Sequence, residues 1–140
     1  MNAQGIGMEE RSEMKEPRRT AMDFWAQARA DLATAVTLLD AGVYYASVFF
    51  SQQAAEKALK GAMVDNQGRC PKGHNLIQMA NGLNAPVEVM NAAAELNPEF
   101  MLSRNPDTAD GVPAQMYDKG SARLHLRCAN DIVDWAKMLS

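Results

Sequence analysis

The chain contains few of the residues that build metal centres or disulfide frameworks. Among its 140 residues are two cysteines, Cys70 and Cys128, and two histidines. Neither cysteine belongs to a CxxC pair or to a Cys/His spacing typical of metal ligands. The sequence therefore predicts reduced thiols, no metal site and no cofactor.

Long apolar runs and strong net charge are also missing. No run approaches the roughly 18–20 apolar residues that span a bilayer. The first residues lack the charged segment and apolar core of a signal peptide, which predicts a cytoplasmic protein without membrane contact. A net charge of −3 argues against a general nucleic-acid coat, but it is compatible with a local basic groove.

The residues that are present indicate one helical domain. Hydrophobic residues make up 47% of the chain, enough for a core, and no segment alternates with the period of a strand. The sequence predicts an all-α fold, an up-and-down bundle of four to five helices over residues 20–140, after a tail or frayed helical extension over residues 1–19. Spacing and helix breakers place the helix starts near Thr20, Tyr44, His74, Pro86 and Ser121, with an irregular stretch over residues 97–120.

The second predicted helix carries the most information. Small and apolar residues, such as Ala54, Ala58 and Leu59, cover most of its circumference, which is typical of a helix inside a bundle. Its polar residues gather in a narrow stripe that either meets solvent or lines a groove. They are Gln53, Glu56, Lys57 and Lys60. The surplus of apolar positions also predicts self-association through a helix face.

Three charged residues in the first two helices have alternative interpretations. Asp31 lies within the apolar arc of the first helix, so we expect it to be buried and bonded to a partner, in a structural role. Lys57 and Lys60 lie three residues apart on the polar stripe. They form either a solvated face, which spacing alone favours, or a cationic wall for a phosphate.

Two later positions are further candidates for ligand binding. His74 precedes the third helix and either caps it or contacts an anionic ligand beside the helix amides. Arg104 opens the irregular stretch and can bind a phosphate, or a carboxylate such as Asp31 or Asp107, through its fork of N–H groups.

The spacings Arg69-x4-His74 and Arg123-x-His125 invite a ribonuclease interpretation. A histidine acting as general acid or base beside an arginine that stabilises the phosphate suits RNA cleavage. Spacings of this size also arise by chance. No glycine-rich phosphate loop and no Ser/His/Asp order accompanies them.

Several of these motifs together resemble the HEPN family over roughly residues 22–135. They are Ala30-Asp31-Leu32, Leu38-Leu39, Gly42-x-Tyr44-Tyr45-Ala46, Gln52-Gln53-Ala54-Ala55-Glu56-Lys57-Ala58-Leu59-Lys60, His74-x-Leu76, Ser103-Arg104-x-Pro106-Asp107 and a last helix that ends near Trp135. The resemblance implies a small helical bundle, commonly a homodimer, that binds nucleotides. It also implies frequent pairing with a minimal nucleotidyltransferase, in operons of the toxin–antitoxin kind.

We therefore expect a binding module whose groove accepts a nucleotide or another phosphate ligand. Its expected ligand-binding residues are Lys57, Lys60, His74, Arg104 and Asp107. We predict no catalytic residue. The alternative is a metal-independent ribonuclease toxin, because some HEPN branches use an R-x4-6-H motif. In this chain Arg69 and His74 have that spacing, but they precede the third helix, whereas the family motif lies later in the domain. A third possibility is an interaction protein whose groove receives the nucleotidyltransferase.

Overall fold

The computed structural model describes residues 3–139, with side chains from residue 17 onward. Over this range the chain is helical, without strands, which confirms the predicted all-α class. The elements are α1 (Ala3–Asp40), α2 (Tyr44–Gln67), α3 (Leu76–Gly82), α4 (Val87–Leu96), α5 (Glu99–Leu102), α6 (Pro106–Ala109), a 3₁₀ turn (Pro113–Gln115) and α7 (Lys119–Met138).

Helix α2 lies at the centre of the bundle. It packs against α1 on one side and α7 on another, while α4 packs on α7 and α3 packs on α4. Its alanines at 54, 55, 58 and 62 and Leu59 have no exposed surface. These apolar positions are covered within one chain, so they do not themselves form a contact between two copies, and self-association stays a prediction.

Glycine at position 61 permits close approach of α1 to α2. A Cβ atom there would lie 3.1 Å from the Phe24 Cβ and 3.4 Å from the carbonyl oxygen of Ala21. The 3.1 Å contact is tighter than an ordinary van der Waals contact, so a side chain would require the two helices to shift by a few tenths of an ångström. The sequence Ala-Leu-Lys-Gly-Ala thus helps to position the polar stripe of α2 against its neighbours.

The predicted start of the first helix at Thr20 is wrong. Helix α1 runs from Ala3 to Asp40 and contains Pro17. Residues 8–16 are mostly good helix formers (Met, Glu, Arg and Lys), so nothing in their composition ends the helix before Thr20. The division into a tail over residues 1–19 and a bundle over residues 20–140 stays a prediction.

A glycine in the left-handed conformation lies just beyond the end of α1 and of α2. Gly42 has a φ of 79°, and its N–H and that of Val43 bond the carbonyls of Leu39 and Leu38, a Schellman motif. Helix α2 ends at Gln67, and Gly68 follows in the left-handed conformation. None of the helices over the described residues is long and apolar enough to cross a membrane.

The stretch over residues 97–120 is more regular than predicted. It contains α5, α6 and the 3₁₀ turn, because each proline stands at or just before the first turn of a short helix, where its missing N–H costs nothing. Helix α7 begins at Lys119 rather than Ser121. Asp118 is its N-cap, and Asp118 and Ser121 form a reciprocal capping box.

Candidate functional site

The polar stripe of α2 is a continuous chain of hydrogen bonds. Lys57 Nζ donates to Gln53 Oε1 at 2.9 Å, and Gln53 Nε2 donates to Gln52 Oε1 at 2.7 Å. Gln52 Nε2 in turn reaches Glu56 Oε1 at 3.3 Å. At the α1 end, Asp31 Oδ2 lies 3.8 Å from Lys57 Nζ. This chain of side chains, from Asp31 to Glu56, is called the stripe network below.

Asp31 is buried in the interface between α1 and α2, with 5% of its surface exposed. Besides Lys57, it receives a hydrogen bond of 2.9 Å from Gln27 Nε2, one turn earlier in α1. The carboxylate therefore has both a charge partner and a donor, which burial of an anion requires. Its contacts are structural, and they hold the Lys57 side chain against α1.

Glu56 is the branch point at the other end of the stripe network. Only 2% of its surface is exposed. Its carboxylate accepts from Lys60 Nζ at 3.1 Å, and from His74 Nδ1 at 2.9 and 3.0 Å. Since a carboxylate only accepts hydrogen bonds, the Nδ1 of His74 carries the proton in this contact. The polar stripe is therefore not a solvated face at Glu56, because the loop before α3 covers it.

An aromatic stack extends from His74 to the protein surface. The imidazole ring lies parallel to the Phe100 ring, with the ring centres 3.7 Å apart. The Arg104 guanidinium carbon lies 4.3 Å from the centre of Phe100 and 5.2 Å from that of Phe49. The Nε of Arg104 donates to the Phe100 carbonyl at 2.8 Å, so the guanidinium plane is fixed from both its face and its edge.

Beside the stack lies an open depression of about 380 Å³. Its lining is mostly apolar, and His74 and Phe100 form one wall. The lining residues are His74, Asn75, Asn97, Pro98, Phe100, Met101, Leu102 and Thr108. The segment over residues 97–108 therefore forms the rim of this depression, next to the Arg104 side chain.

The comparisons with known proteins identify the family. The family model for the HEPN domain matches residues 21–139. The chain belongs to the HEPN family. This finding confirms the resemblance that the sequence motifs indicated.

Three solved structures are similar to this HEPN domain. TT1696 from Thermus thermophilus is 30% identical, with 86% of this chain and 98% of that chain covered and a TM-score of 0.81. ST0689, described as an archaeal HEPN homologue, is 32% identical over 86% and 98% of the two chains, with a TM-score of 0.75. An HEPN domain protein from Thermotoga maritima is 25% identical over 84% and 96%, with a TM-score of 0.66. No curated protein sequence matches the chain.

Within this HEPN domain, three of the five expected ligand-binding residues directly contact Glu56 or the Phe100 ring. Lys60 and His74 share Glu56, and His74 connects through Phe100 to Arg104. Lys57 instead contacts Gln53 and Asp31, at the α1 side of the stripe network. Asp107 is exposed in the first turn of α6.

The predicted capping role of His74 is wrong. Asn75 is the N-cap of α3, and its side chain accepts a hydrogen bond from the Gln78 N–H. An asparagine next to the histidine satisfies the helix end, which leaves the imidazole available for Glu56. The Arg69 and His74 side chains line different cavities, since Arg69 lies with Lys72 and Gln78 around a separate space of about 200 Å³.

Sequence reasoning missed the aromatic residues of the stack and the burial of Glu56. Phe100 and Arg104 are four residues apart, a spacing that brings side chains together on one helical face and was available as a signal. Phe49 precedes Glu56 by two turns of α2 in the same way. Neither spacing indicates that the loop carrying His74 folds back over Glu56, because that contact joins residues 18 positions apart.

Proposed function

We propose that this HEPN domain binds a phosphate-bearing ligand of the nucleotide class at the surface formed by His74, Phe100 and Arg104. The observation that carries the proposal is the fixed guanidinium of Arg104. Its Nε is engaged by a backbone carbonyl and its face by Phe100. No side chain in the described part of the chain accepts from its two terminal nitrogens, so these remain for a bidentate phosphate contact.

The local charge supports an anionic ligand. Lys60 is balanced by Glu56, and Lys57 by Asp31. Arg104 forms no ion pair with an acidic side chain among the described residues, so it leaves a positive charge on a protein of net charge −3. This site therefore presents one strong cation with the half-exposed His74 beside it, rather than the four cations that the sequence suggested.

The mostly apolar depression next to the stack supports a ligand with a flat organic part. Its volume of about 380 Å³ lies in the range of small-molecule sites. Phosphate at Arg104 and a base or sugar against Phe100 and Met101 would use both features. Asp107 is exposed in the first turn of α6, and its carboxylate suits a hydroxyl donor rather than a phosphate.

Isothermal titration calorimetry with ATP tests this proposal. We expect binding that weakens as salt rises from about 0.05 to 0.5 M, because an exposed ion pair is screened. Arg104→Ala should lower the affinity at least tenfold, and Arg123→Ala, which removes an exposed arginine of α7, should not. Absence of heat at millimolar ATP, or equal losses in both variants, would refute the site.

The partner proposals rest on the family resemblance. We propose a homodimer, and a minimal nucleotidyltransferase as the protein partner in an operon of the toxin–antitoxin kind. An exposed apolar side chain of the depression, Met101 at 44% exposure, supports a protein contact there. Light scattering of the purified chain tests the dimer, and co-expression with a neighbouring nucleotidyltransferase gene tests the partner.

One observation favours the ribonuclease alternative. The buried carboxylate of Glu56 orients His74 through Nδ1, an arrangement used by histidines that transfer protons. RNA cleavage that His74→Ala abolishes and Arg123→Ala preserves would establish this activity. Intact RNA after incubation with the wild-type protein would refute the ribonuclease alternative, and the binding function would be the remaining proposal.

A further inference from the structure

A second group of buried polar residues lies on the other side of α5. Glu99, in the first turn of α5, is 8% exposed, and its carboxylate accepts a hydrogen bond from the Tyr117 hydroxyl. His125 of α7 is 5% exposed. Its Nδ1 lies 2.7 Å from the Ser121 carbonyl oxygen. Its Nε2 lies 3.6 Å from Glu99 Oε2 and 3.9 Å from Glu95 Oε2.

The geometry determines the charge of His125. A carbonyl oxygen only accepts, so Nδ1 must carry a hydrogen. In the neutral ring, Nε2 would then present a bare lone pair to two carboxylates from within the protein, and it has no hydrogen-bond partner among the described residues. A proton on Nε2 turns this repulsion into attraction. The imidazolium form is therefore the one that fits this pocket.

The surroundings act on the pKa of His125 in the same direction overall. Burial lowers that pKa, but Glu99, the Ser121 carbonyl and Glu95 together raise it above the ordinary value of 6.5. These groups come from α5, α7 and α4. Tyr117, from the segment before α7, faces Glu99, and its own pKa is raised by burial and by the hydrogen bond and charge of Glu99. Tyr117 thus stays neutral and donates to Glu99.

We propose that charged His125 and Tyr117 are positioning residues, which tie Glu99 to α7 and thereby set the orientation of Phe100 and Arg104 on the same short helix. A helix of four residues has too few internal hydrogen bonds to hold its own direction. Glu99 directly precedes Phe100, so the contacts of its carboxylate with His125 and Tyr117 anchor the backbone of α5 next to the aromatic stack. The effect on ligand binding rests on the function proposed above.

This arrangement makes the anchor sensitive to pH. The folded-state pKa of His125 is raised, so its contribution to stability is fully present below the unfolded value of about 6.5 and is lost as pH rises through the folded value. The anchor should therefore loosen on the alkaline side of neutrality. Its loosening would release α5, and with it the fixed guanidinium of Arg104.

Proton NMR of the full chain tests the proposal without any ligand. The chain has two histidines, so the His74→Gln variant assigns the imidazole signals. We expect His125 to titrate above 6.5, and to titrate below that value in Glu99→Gln. Glu95 is half-exposed, so Glu95→Gln is the matched control and should lower the pKa of His125 less. A wild-type pKa at or below 6.5, or no response to Glu99→Gln, would overturn the proposal.

The position of α5 has its own readout. Because the His74 ring stacks on Phe100 at 3.7 Å, its carbon-bound protons should be shifted upfield by the phenyl ring current. At about pH 6, where His125 is charged, Glu99→Gln and Tyr117→Phe should reduce that shift, while Glu95→Gln preserves it. An unchanged shift in Tyr117→Phe, which can fold even if Glu99→Gln does not, contradicts a positioning role. If the shifts respond but ATP does not bind, the proposed function alone fails.

Discussion

Two buried glutamates, Glu56 and Glu99, show opposite ways of placing a carboxylate inside this bundle. Each is less than a tenth exposed, and each faces one of the two histidines. Glu56 lies within a helix of 24 residues and has Gln52 and Lys60 one turn away on either side. Glu99 lies in a helix of four residues, and its side-chain partners, Tyr117 and His125, come from later in the chain.

The difference lies in what holds each carboxylate. The rigid backbone of α2 places Glu56, and His74 adds a cover that is still half-exposed. Glu99 depends on Tyr117, which precedes α7, and on His125 of α7 for its partners. The positions of the carboxylate and of these partners are therefore set together. Because its own helix places Glu56, the position of that carboxylate does not depend on one partner. The position of Glu99 can respond to the charge of a single histidine, His125.

The largest expected effect comes from removing the locally placed carboxylate. Glu56→Ala should lower the free energy of unfolding by about 3–5 kcal/mol, because it leaves the mostly buried Lys60 side chain, 13% exposed, without its partner and frees Gln52 and His74. Urea unfolding of the variant measures this loss. The matched control is Glu88→Ala, which removes an exposed glutamate of α4. Equal small losses in the two variants would mean that the carboxylate does not organise the stripe network.

Asp31 tests the other end of the stripe network. Asp31→Ala should cost about 2 kcal/mol, because Gln27 loses its acceptor and Lys57 loses its buried counter-charge. The effect should be smaller than for Glu56, since Lys57 is 22% exposed and keeps its bond to Gln53. Thermal unfolding beside Asp40→Ala, a change at an exposed aspartate, measures it. A melting temperature equal to that of the wild type would contradict the structural role of Asp31.

The two glutamates also mark how far the sequence alone could predict this protein. The apolar spacing around Ala54, Ala58 and Leu59 predicted α2, the bundle and the polar stripe, because these depend on helical geometry within one segment. The family motifs lie mainly in that segment. The contact of His74 with Glu56 and the convergence of Glu99, Tyr117 and His125 could not be predicted, because they depend on how loops and short helices close over the bundle.

Prolines explain the main error in the predicted secondary structure, the irregular stretch over residues 97–120. Pro98, Pro106 and Pro113 appear as breakers in the sequence, and each does end a preceding segment. Each also starts or precedes the short helix that follows, a position that proline favours. The prolines therefore led to the prediction of one irregular stretch over residues 97–120, which missed the short helical turns within it.

Tyr117→Phe sharpens the comparison on the Glu99 side. It removes one hydroxyl from a half-buried site and should cost about 1.5 kcal/mol, as for a hydrogen bond to a charged acceptor. The loss is expected to be less than for Glu56→Ala, because His125 still faces Glu99. Tyr44→Phe, a matched change near the start of α2, should cost less in the same urea titration. A loss as large as that of Glu56→Ala would mean that Tyr117, rather than His125, is the principal anchor of α5.

The smallest expected effect is on the cover of Glu56. His74→Gln should cost about 0.5–1 kcal/mol, because the imidazole is half-exposed and Glu56 keeps Lys60 and Gln52 as donors. The glutamine amide can still donate to the carboxylate, so the main loss is the ring contact with Phe100. Urea unfolding at two salt concentrations separates the contact with the Glu56 carboxylate from the ring contact with Phe100, since salt screens the carboxylate charge but not the ring contact. A cost above that of Tyr117→Phe would show that the loop before α3, and not α2 itself, holds Glu56 in place, and the contrast between the two glutamates would then disappear.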